Sequence, residues 1–233
     1  MDREIREYTI FGERCTGTNY IDQLIKLNFA LKNTQKSGHK HMKIGHDFDD
    51  VKNSVIPTKE NSKNCLFLIV VRNPYDWSQS FNISPWHAKK HLLYLPYSEF
   101  IRSKWESIDN MGKIIPSDLK DDGTFFNDIF ELRASKIREH LKLFNMVKNC
   151  VLVNYENVEN NYQEFLDMLH VNYNLKKISP EYQNVTFYKD VKSKSFVKKD
   201  YGLICADDLL YINTMIDWKL ESLIGYYPKD EII

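Results

Sequence analysis

The sequence is short of several things that would assign it to a class outright. Its four cysteines, Cys15, Cys65, Cys150 and Cys205, lie far apart with no CxxC pair, which excludes a zinc ribbon and a dense disulfide framework. A reducing, cytoplasmic setting is expected. Neither sign of charge dominates: 32 Lys+Arg balance 32 Asp+Glu, so binding nucleic acid through bulk positive charge is excluded and any anion site must be local. The longest apolar run, Cys65 to Val71, is far too short to span a bilayer, and the first residues, MDREIREYTI, are charged where a signal peptide is apolar. A soluble, unprocessed chain is expected. No repeat, low-complexity tract or Pro/Gly/Ser linker divides it. A hydrophobic content of 42% over 233 residues suffices for one core, so residues 1–233 are expected to form a single domain.

What is present is an alternation of strand-like and helix-like segments. Tyr8 to Phe11 is a short β-prone run ending at Gly12, and Tyr20, Ile21, Leu24, Ile25 and Leu27 follow at helical spacing. Cys65 to Val71 is continuously apolar and β-rich, as expected of a strand buried on both faces, and Pro74 suits the first turn of a new helix. Cys150 to Asn154 repeats the buried-strand pattern after an amphipathic segment, Phe130 to Val147, in which Leu132, Ile137, Leu141 and Phe144 share a face. A further strand is expected over His39 to Ile44. Near the end Leu209, Ile212, Ile216, Leu220 and Leu223 form a helical stripe stopped by Gly225. Together these predict a three-layer α/β/α fold with a mostly parallel sheet, of the P-loop nucleotide-kinase type.

Between the first strand and helix stands Gly12-Glu13-Arg14-Cys15-Thr16-Gly17-Thr18-Asn19-Tyr20. Two glycines at P-loop spacing let backbone N–H groups turn toward a phosphate or sulfate, and the helix N-terminus adds unpaired donors and its dipole. A Walker A loop needs Lys and then Ser/Thr after the second glycine, to neutralise the β/γ-phosphates and hold Mg²⁺. Those places hold Thr18 and Asn19, so an ordinary ATP or GTP hydrolase is disfavoured. The second apolar strand delivers a cation where a metal-dependent enzyme would put an Asp: Arg72, in Arg72-Asn73-Pro74-Tyr75-Asp76-Trp77-Ser78-Gln79-Ser80. Arg72 can clamp a phosphate with its planar fork, and Ser80 can donate a hydroxyl to the same anion.

The two motifs in this order resemble the sulfotransferases that use 3′-phosphoadenosine 5′-phosphosulfate (PAPS). In that family the first loop holds the 5′-phosphosulfate, and an Arg at a strand end with a Ser eight residues later holds the 3′-phosphate, the spacing of Arg72 and Ser80. Thr16-Gly17-Thr18-Asn19-Tyr20 matches the last five places of the family's Lys-Ser-Gly-Thr-Thr-Trp loop, which puts Tyr20 where an aromatic stacks on adenine. Cys15 falls where the family has Lys, and Arg14 is the nearby cation expected to replace it. Tyr155, in Val153-Asn154-Tyr155-Glu156-Asn157-Val158, resembles the family's Tyr-Glu-Asp segment and is a second expected adenine contact, or else a Tyr capping the core. The resemblance lapses between Trp86 and Asp128, where an acceptor pocket would vary. The family's Arg-Lys-Gly segment is absent. The basic stretch Lys189 to Lys199, five lysines and one aspartate, either replaces it as a lid whose Lys198 and Lys199 reach the 3′-phosphate or is a solvated loop.

The resemblance implies transfer of a sulfuryl group from PAPS to an acceptor hydroxyl, with carbohydrate slightly preferred over a phenol or protein tyrosine and without a metal. Such transfer needs a base for the hydroxyl proton. His39, His41 and His46 lie between the two cofactor motifs, where the family often places its base, and His41 is the choice, with His87 as rival and Glu13 as a carboxylate alternative. On a strand, His39, His41 and Lys43 would share one face. Arg133 and Lys136, one helical turn apart, either serve an anionic acceptor or decorate a surface helix. A nucleotide or small-molecule kinase with a degenerate P-loop, and a non-catalytic module that keeps the cradle, stay open as alternatives.

Overall fold

The computed structural model describes residues 4–46, 54–187 and 195–229. Its sheet is built on the continuous apolar run: β3 (Cys65–Val71) is buried at every position and pairs in parallel with β1 (Glu7–Phe11) on one side and β4 (Cys150–Asn154) on the other. A two-residue β2 (Lys32–Asn33) pairs in parallel with the outer edge of β1, giving the order β2-β1-β3-β4. Parallel neighbours need crossovers. α1 (Thr18–Asn28) joins β1 to β2, while α2 (Pro74–Ile83), α3 (Tyr97–Arg102), α4 (Ile129–Leu141) and α5 (Leu143–Met146) lie between β3 and β4. α6 (Tyr155–Asn160), α7 (Tyr162–Tyr173), α8 (Ala206–Met215) and α9 (Trp218–Leu223) follow.

The period of two along the strands sorts the core into two faces. Tyr8, Ile10, Leu66, Leu68, Val70 and Val153 pack with Ile21 and Leu24 of α1 and Leu166 and Leu169 of α7. Phe11, Phe67, Ile69 and Val71 pack on the opposite side with Ala134 and Ile137 of α4 and Leu220 of α9. The expected three-layer α/β architecture is therefore present, and both faces of β3 are covered, which is why its sequence shows no polar alternation. A third core of Trp77, Phe81, Phe100, Trp105 and Phe130 joins α2, α3 and α4. Among the described residues no helix is long and apolar enough to cross a membrane.

Three expectations are corrected. His39 to Ile44 is a tight turn rather than a strand: His39 N donates to His46 O, Met42 N to His39 O and Gly45 N to Ser37 O. Gly38 and Gly45, with φ of 115° and 81°, bend the chain at both ends of this segment. The shared face proposed for His39, His41 and Lys43 therefore does not exist. The amphipathic segment from Phe130 is broken at Lys142, which ends α4 and precedes α5, so that Phe144 is exposed. The C-terminal stripe is two helices, separated at Ile216 and restarted by Asp217, whose side chain accepts from Leu220 N. Gly225, φ 88°, follows as expected.

β1 leads outward to β2 while β3 lies on its other side, so the strand order reverses between β1 and β3. In open parallel sheets ligands settle outside the carboxyl ends at such a point. The segments leaving β1, β3 and β4 there begin at Gly12, Arg72 and Tyr155.

Candidate functional site

The loop from β1 is a glycine-dependent cradle. Gly17 is the N-cap of α1 in the left-handed region, φ 94° and ψ 11°, and provides no side-chain cap, leaving first-turn amides to an incoming acceptor. A Cβ at Gly17 would lie 2.1 Å from Tyr155 Cδ2. At Gly12 a Cβ would meet Val70 O at 2.6 Å and Thr16 Oγ1 at 2.8 Å. Between the glycines, Thr16 turns back on the loop, its Oγ1 donating to Glu13 O at 2.7 Å. Trp77 Nε1 holds the loop from behind by donating to Arg14 O at 2.8 Å.

Arg72 stands against this loop. The Asn73 side chain accepts from Asp76 N and Pro74 opens α2, so the turn that releases Arg72 from β3 is fixed by its sequence. The Arg72 side chain is nine-tenths buried, and its Nη1 donates to Cys15 O at 3.2 Å. Its guanidinium lies 4.9 Å from the Tyr155 ring and 5.2 Å from the Tyr201 ring. Nε is buried without a hydrogen-bond partner. Burial pushes the Cys15 thiol up to about 11, against the pull of the Ser80 hydroxyl, Arg72 and Lys199, so Cys15, Ser80, Arg72 and Lys199 belong to one neighbourhood. A thiol held that high is no nucleophile at neutral pH.

The expected adenine contacts are less open. Tyr20 is buried, stacked on Phe196 with centroids 5.0 Å apart, and donates to Asn184 Oδ1 at 2.9 Å. The ring face expected to meet a base therefore meets a protein side chain. Tyr155 covers Gly17 and donates to Glu159 at 2.9 Å. Lys198 reaches the same Glu159 at 3.0 Å. Of the basic stretch expected to form a lid, residues 189–194 lie outside the described residues.

Arg14 is not where a replacement for the loop lysine is needed. Its side chain is fully buried, with Nη1 2.9 Å from Glu13 Oε1 and Nη2 2.6 Å from Asp118 Oδ2. Asp118 also pairs with Lys136 and accepts from Ser107 Oγ at 2.5 Å. Burial opposes its ionisation, but Arg14 and Lys136 hold its carboxyl well below the usual range. Arg133 and Lys136 are likewise buried, not on a surface helix and not open to an acceptor. Arg133 clamps Glu221 in bidentate fashion, at 2.6 and 2.9 Å, and donates to Arg72 O at 2.7 Å. Lys136 donates to His41 O at 2.9 Å. One turn of α4 thus ties down the backbones of Arg72 and His41. Nothing in the sequence signals Asp118 or Glu221, which belong to no motif and whose arginine partners, Arg14 and Arg133, stand 104 and 88 positions away.

The histidines separate by tautomer. His41 is partly exposed, and its Nδ1 lies 2.7 Å from Gly12 O. A carbonyl can only accept, so Nδ1 carries the proton and Nε2 keeps a lone pair. Burial, with Lys40, Arg14 and His39 nearby, holds His41 protonation well below the ordinary histidine value, although the Gly12 bond works the other way. His87 faces Arg14 Nε with its Nδ1 at 3.4 Å, which leaves the hydrogen on Nε2 and makes that atom a donor. Burial and Arg14 pull its pKa down to about 4. His39 takes His41 N–H on Nδ1 at 3.4 Å, and His46 sits at the far end of the turn. Glu13 accepts both Arg14 N and Arg14 Nη1 on Oε1, while Oε2 is buried without a partner.

A cavity of about 380 Å³ opens next to the loop, lined by Ser84, Trp86, His87, Ile108, Asp109 and Asn110 among others. Cys15 Sγ, 3.6 Å from Ser84 O, and the Arg14–His87 contact join it to the cradle. Trp86 is more than half exposed. Compared with known proteins, the chain matches no family model and no curated protein sequence.

Proposed function

We propose that the protein is a PAPS-dependent sulfotransferase acting on a hydroxyl of a carbohydrate acceptor. The observation that carries this reading is Arg72: an arginine nine-tenths buried beside a phosphate-type loop, with Nε unpartnered and Ser80 within the same neighbourhood. An orphaned buried donor costs about 1–3 kcal/mol and implies an acceptor that completes it. The residues fit the donor's two anionic ends. Gly12 N, Arg14 N and Thr16 N are held within the fold, so the uncapped amides at the start of α1 after Gly17 suit the 5′ group, and Arg72 with Ser80 suits a 3′-phosphate. When bound, PAPS supplies an electrophilic sulfuryl group and a phosphate leaving group.

The chain's own residues supply the rest. His41 Nε2 takes the proton of the acceptor hydroxyl as the oxygen attacks, and Lys136 holds the His41 backbone while Gly12 O fixes its tautomer. The cavity beside Trp86 receives the acceptor, the indole offering a flat apolar face to a sugar ring and Asn110 a polar rim. The test is a thermal-shift series followed by sulfate transfer to oligosaccharides. Adenosine 3′,5′-bisphosphate should raise the melting temperature well above the effect of 5′-AMP or Mg²⁺-ATP. Equal stabilisation by 5′-AMP would remove the role of Arg72 and Ser80. Mg²⁺-dependent ATP turnover would select a kinase, and bisphosphate binding without any transfer would select a non-catalytic module.

A further inference from the structure

Residues 196–201 run across the candidate site instead of beside it. Phe196 stacks on Tyr20 with centroids 5.0 Å apart. Lys198 Nζ pairs with Glu159 Oε2 at 3.0 Å and donates to Asn160 Oδ1 at 3.3 Å. Tyr201 lays its ring 5.2 Å from the Arg72 guanidinium, and Gln79 Nε2, on α2, donates to its carbonyl at 3.2 Å. Between them Lys199 lies close enough to Cys15 to ease ionisation of its thiol, which puts the middle of the segment over the phosphate-type loop. One short strap thus covers Tyr20, the Glu159 that takes the Tyr155 hydroxyl, and Arg72.

The strap is held at those points and little elsewhere. Residues 196–201 belong to no helix or strand, and Lys198, Lys199 and Asp200 are exposed, as is Val197 at 72%. At the far end Gly202 has φ 72° and open space where a Cβ would stand, so it can absorb backbone rotation. A segment with few buried contacts and no ladder hydrogen bonds opens at low cost. Tyr201 also leaves Arg72 Nε without an acceptor, so the strap satisfies this guanidinium less well than an anion does.

We propose that residues 196–201 are an autoinhibitory strap: in the ligand-free protein Phe196 takes the place of a base on Tyr20 and Tyr201 that of a phosphate on Arg72, and a nucleotide enters only when the strap lifts. This rests on the reading of the loop and Arg72 as a nucleotide site. Because the strap competes with the ligand, the apparent affinity is the intrinsic affinity reduced by the fraction of molecules in which the strap is lifted. A lid that closes over a bound nucleotide has the opposite sign, since its contacts add to binding.

The test combines isothermal titration of wild type and Phe196→Ala with adenosine 3′,5′-bisphosphate and limited trypsin digestion of wild type, followed at Lys198 and Lys199. Phe196→Ala removes the stack on Tyr20 and should tighten the bisphosphate by ~3–10-fold, the worth of one aromatic pair in the competing state. In wild type, saturating bisphosphate should speed cleavage after Lys198 and Lys199 several-fold relative to the other tryptic sites, because the lifted strap is the better substrate. Weaker or unchanged binding in Phe196→Ala, or protection of Lys198 and Lys199 by the bisphosphate, overturns the strap and leaves the nucleotide reading standing. Bisphosphate that binds neither protein rejects the nucleotide reading, and the strap with it.

Discussion

A buried guanidinium is stable only where acceptors surround it, and Arg72 has fewer than its five N–H groups require. Cys15 O takes one hydrogen bond and two tyrosine rings lie within cation–π distance, yet Nε has none. Its removal should therefore be felt mainly by the ligand. Arg72→Ala is expected to weaken adenosine 3′,5′-bisphosphate by about 2–4 kcal/mol, and Ser80→Ala by about 1 kcal/mol, in titration calorimetry. An unchanged affinity in Arg72→Ala would move the site elsewhere. At His41 the expectation concerns chemistry. His41→Ala should cut turnover by ~10²–10⁴-fold with little change in bisphosphate affinity. The base must be neutral, and burial and Lys40 keep His41 neutral far below the ordinary histidine value. The wild-type rate should consequently be flat across pH 6–8, with any acidic limb from this group well below ~6.5. A limb centred near 6.5 that survives in His41→Ala would assign the proton to another group.

Among the elements, the turn from Gly12 to α1 has the least freedom. Gly17→Ala combines a left-handed backbone with a Cβ 2.1 Å from the Tyr155 ring, so either α1 loses its start or Tyr155 moves off Arg72. Stability should fall by about 1–3 kcal/mol in urea unfolding, and bisphosphate binding should fall with it. Retention of both would mean that the loop adapts and is not a rigid cradle. β1, β3 and β4 were legible because strands covered on both faces must be apolar throughout, and that leaves a run no loop imitates. β2 left no such mark. It is Lys32-Asn33 on the sheet edge, where nothing apolar is required. The stretch from His39 alternates like a strand but is a turn, because its carbonyls satisfy each other's amides and Gly12 N locally. For the site, Arg72, Ser80 and the glycine loop could be read from position relative to strand ends. Asp118, Tyr201 and the Phe196–Tyr20 stack could not, since pairings between distant segments have no local signature.

At the scale of the molecule, acid should destabilise the fold through its neutral buried histidines. His140 is nearly inaccessible, with Nε2 2.9 Å from Met42 O and its ring 5.3 Å from that of Phe11. Burial, helped by Lys136 and opposed by the Met42 bond, pulls its pKa down to about 4. The unfolded chain binds this proton near ~6.5. Above that value neither state is protonated and the stability is complete. As pH falls, the unfolded state takes the proton first, so stability is lost progressively until the folded value near 4 is passed. A difference of this size corresponds to about 3 kcal/mol, a sizeable share of the 5–15 kcal/mol typical of a domain. His87 and His41 add in the same direction, so the His140 part must be isolated by difference. His140→Gln keeps a donor for Met42 O and cannot titrate. Urea unfolding of both proteins from pH 8 to pH 4 should show wild type losing about 3 kcal/mol more than the variant across that range. Parallel stability curves for the two proteins would mean that His140 protonates in the folded state as readily as in the unfolded one, against the enclosure that Phe11 and Met42 give it.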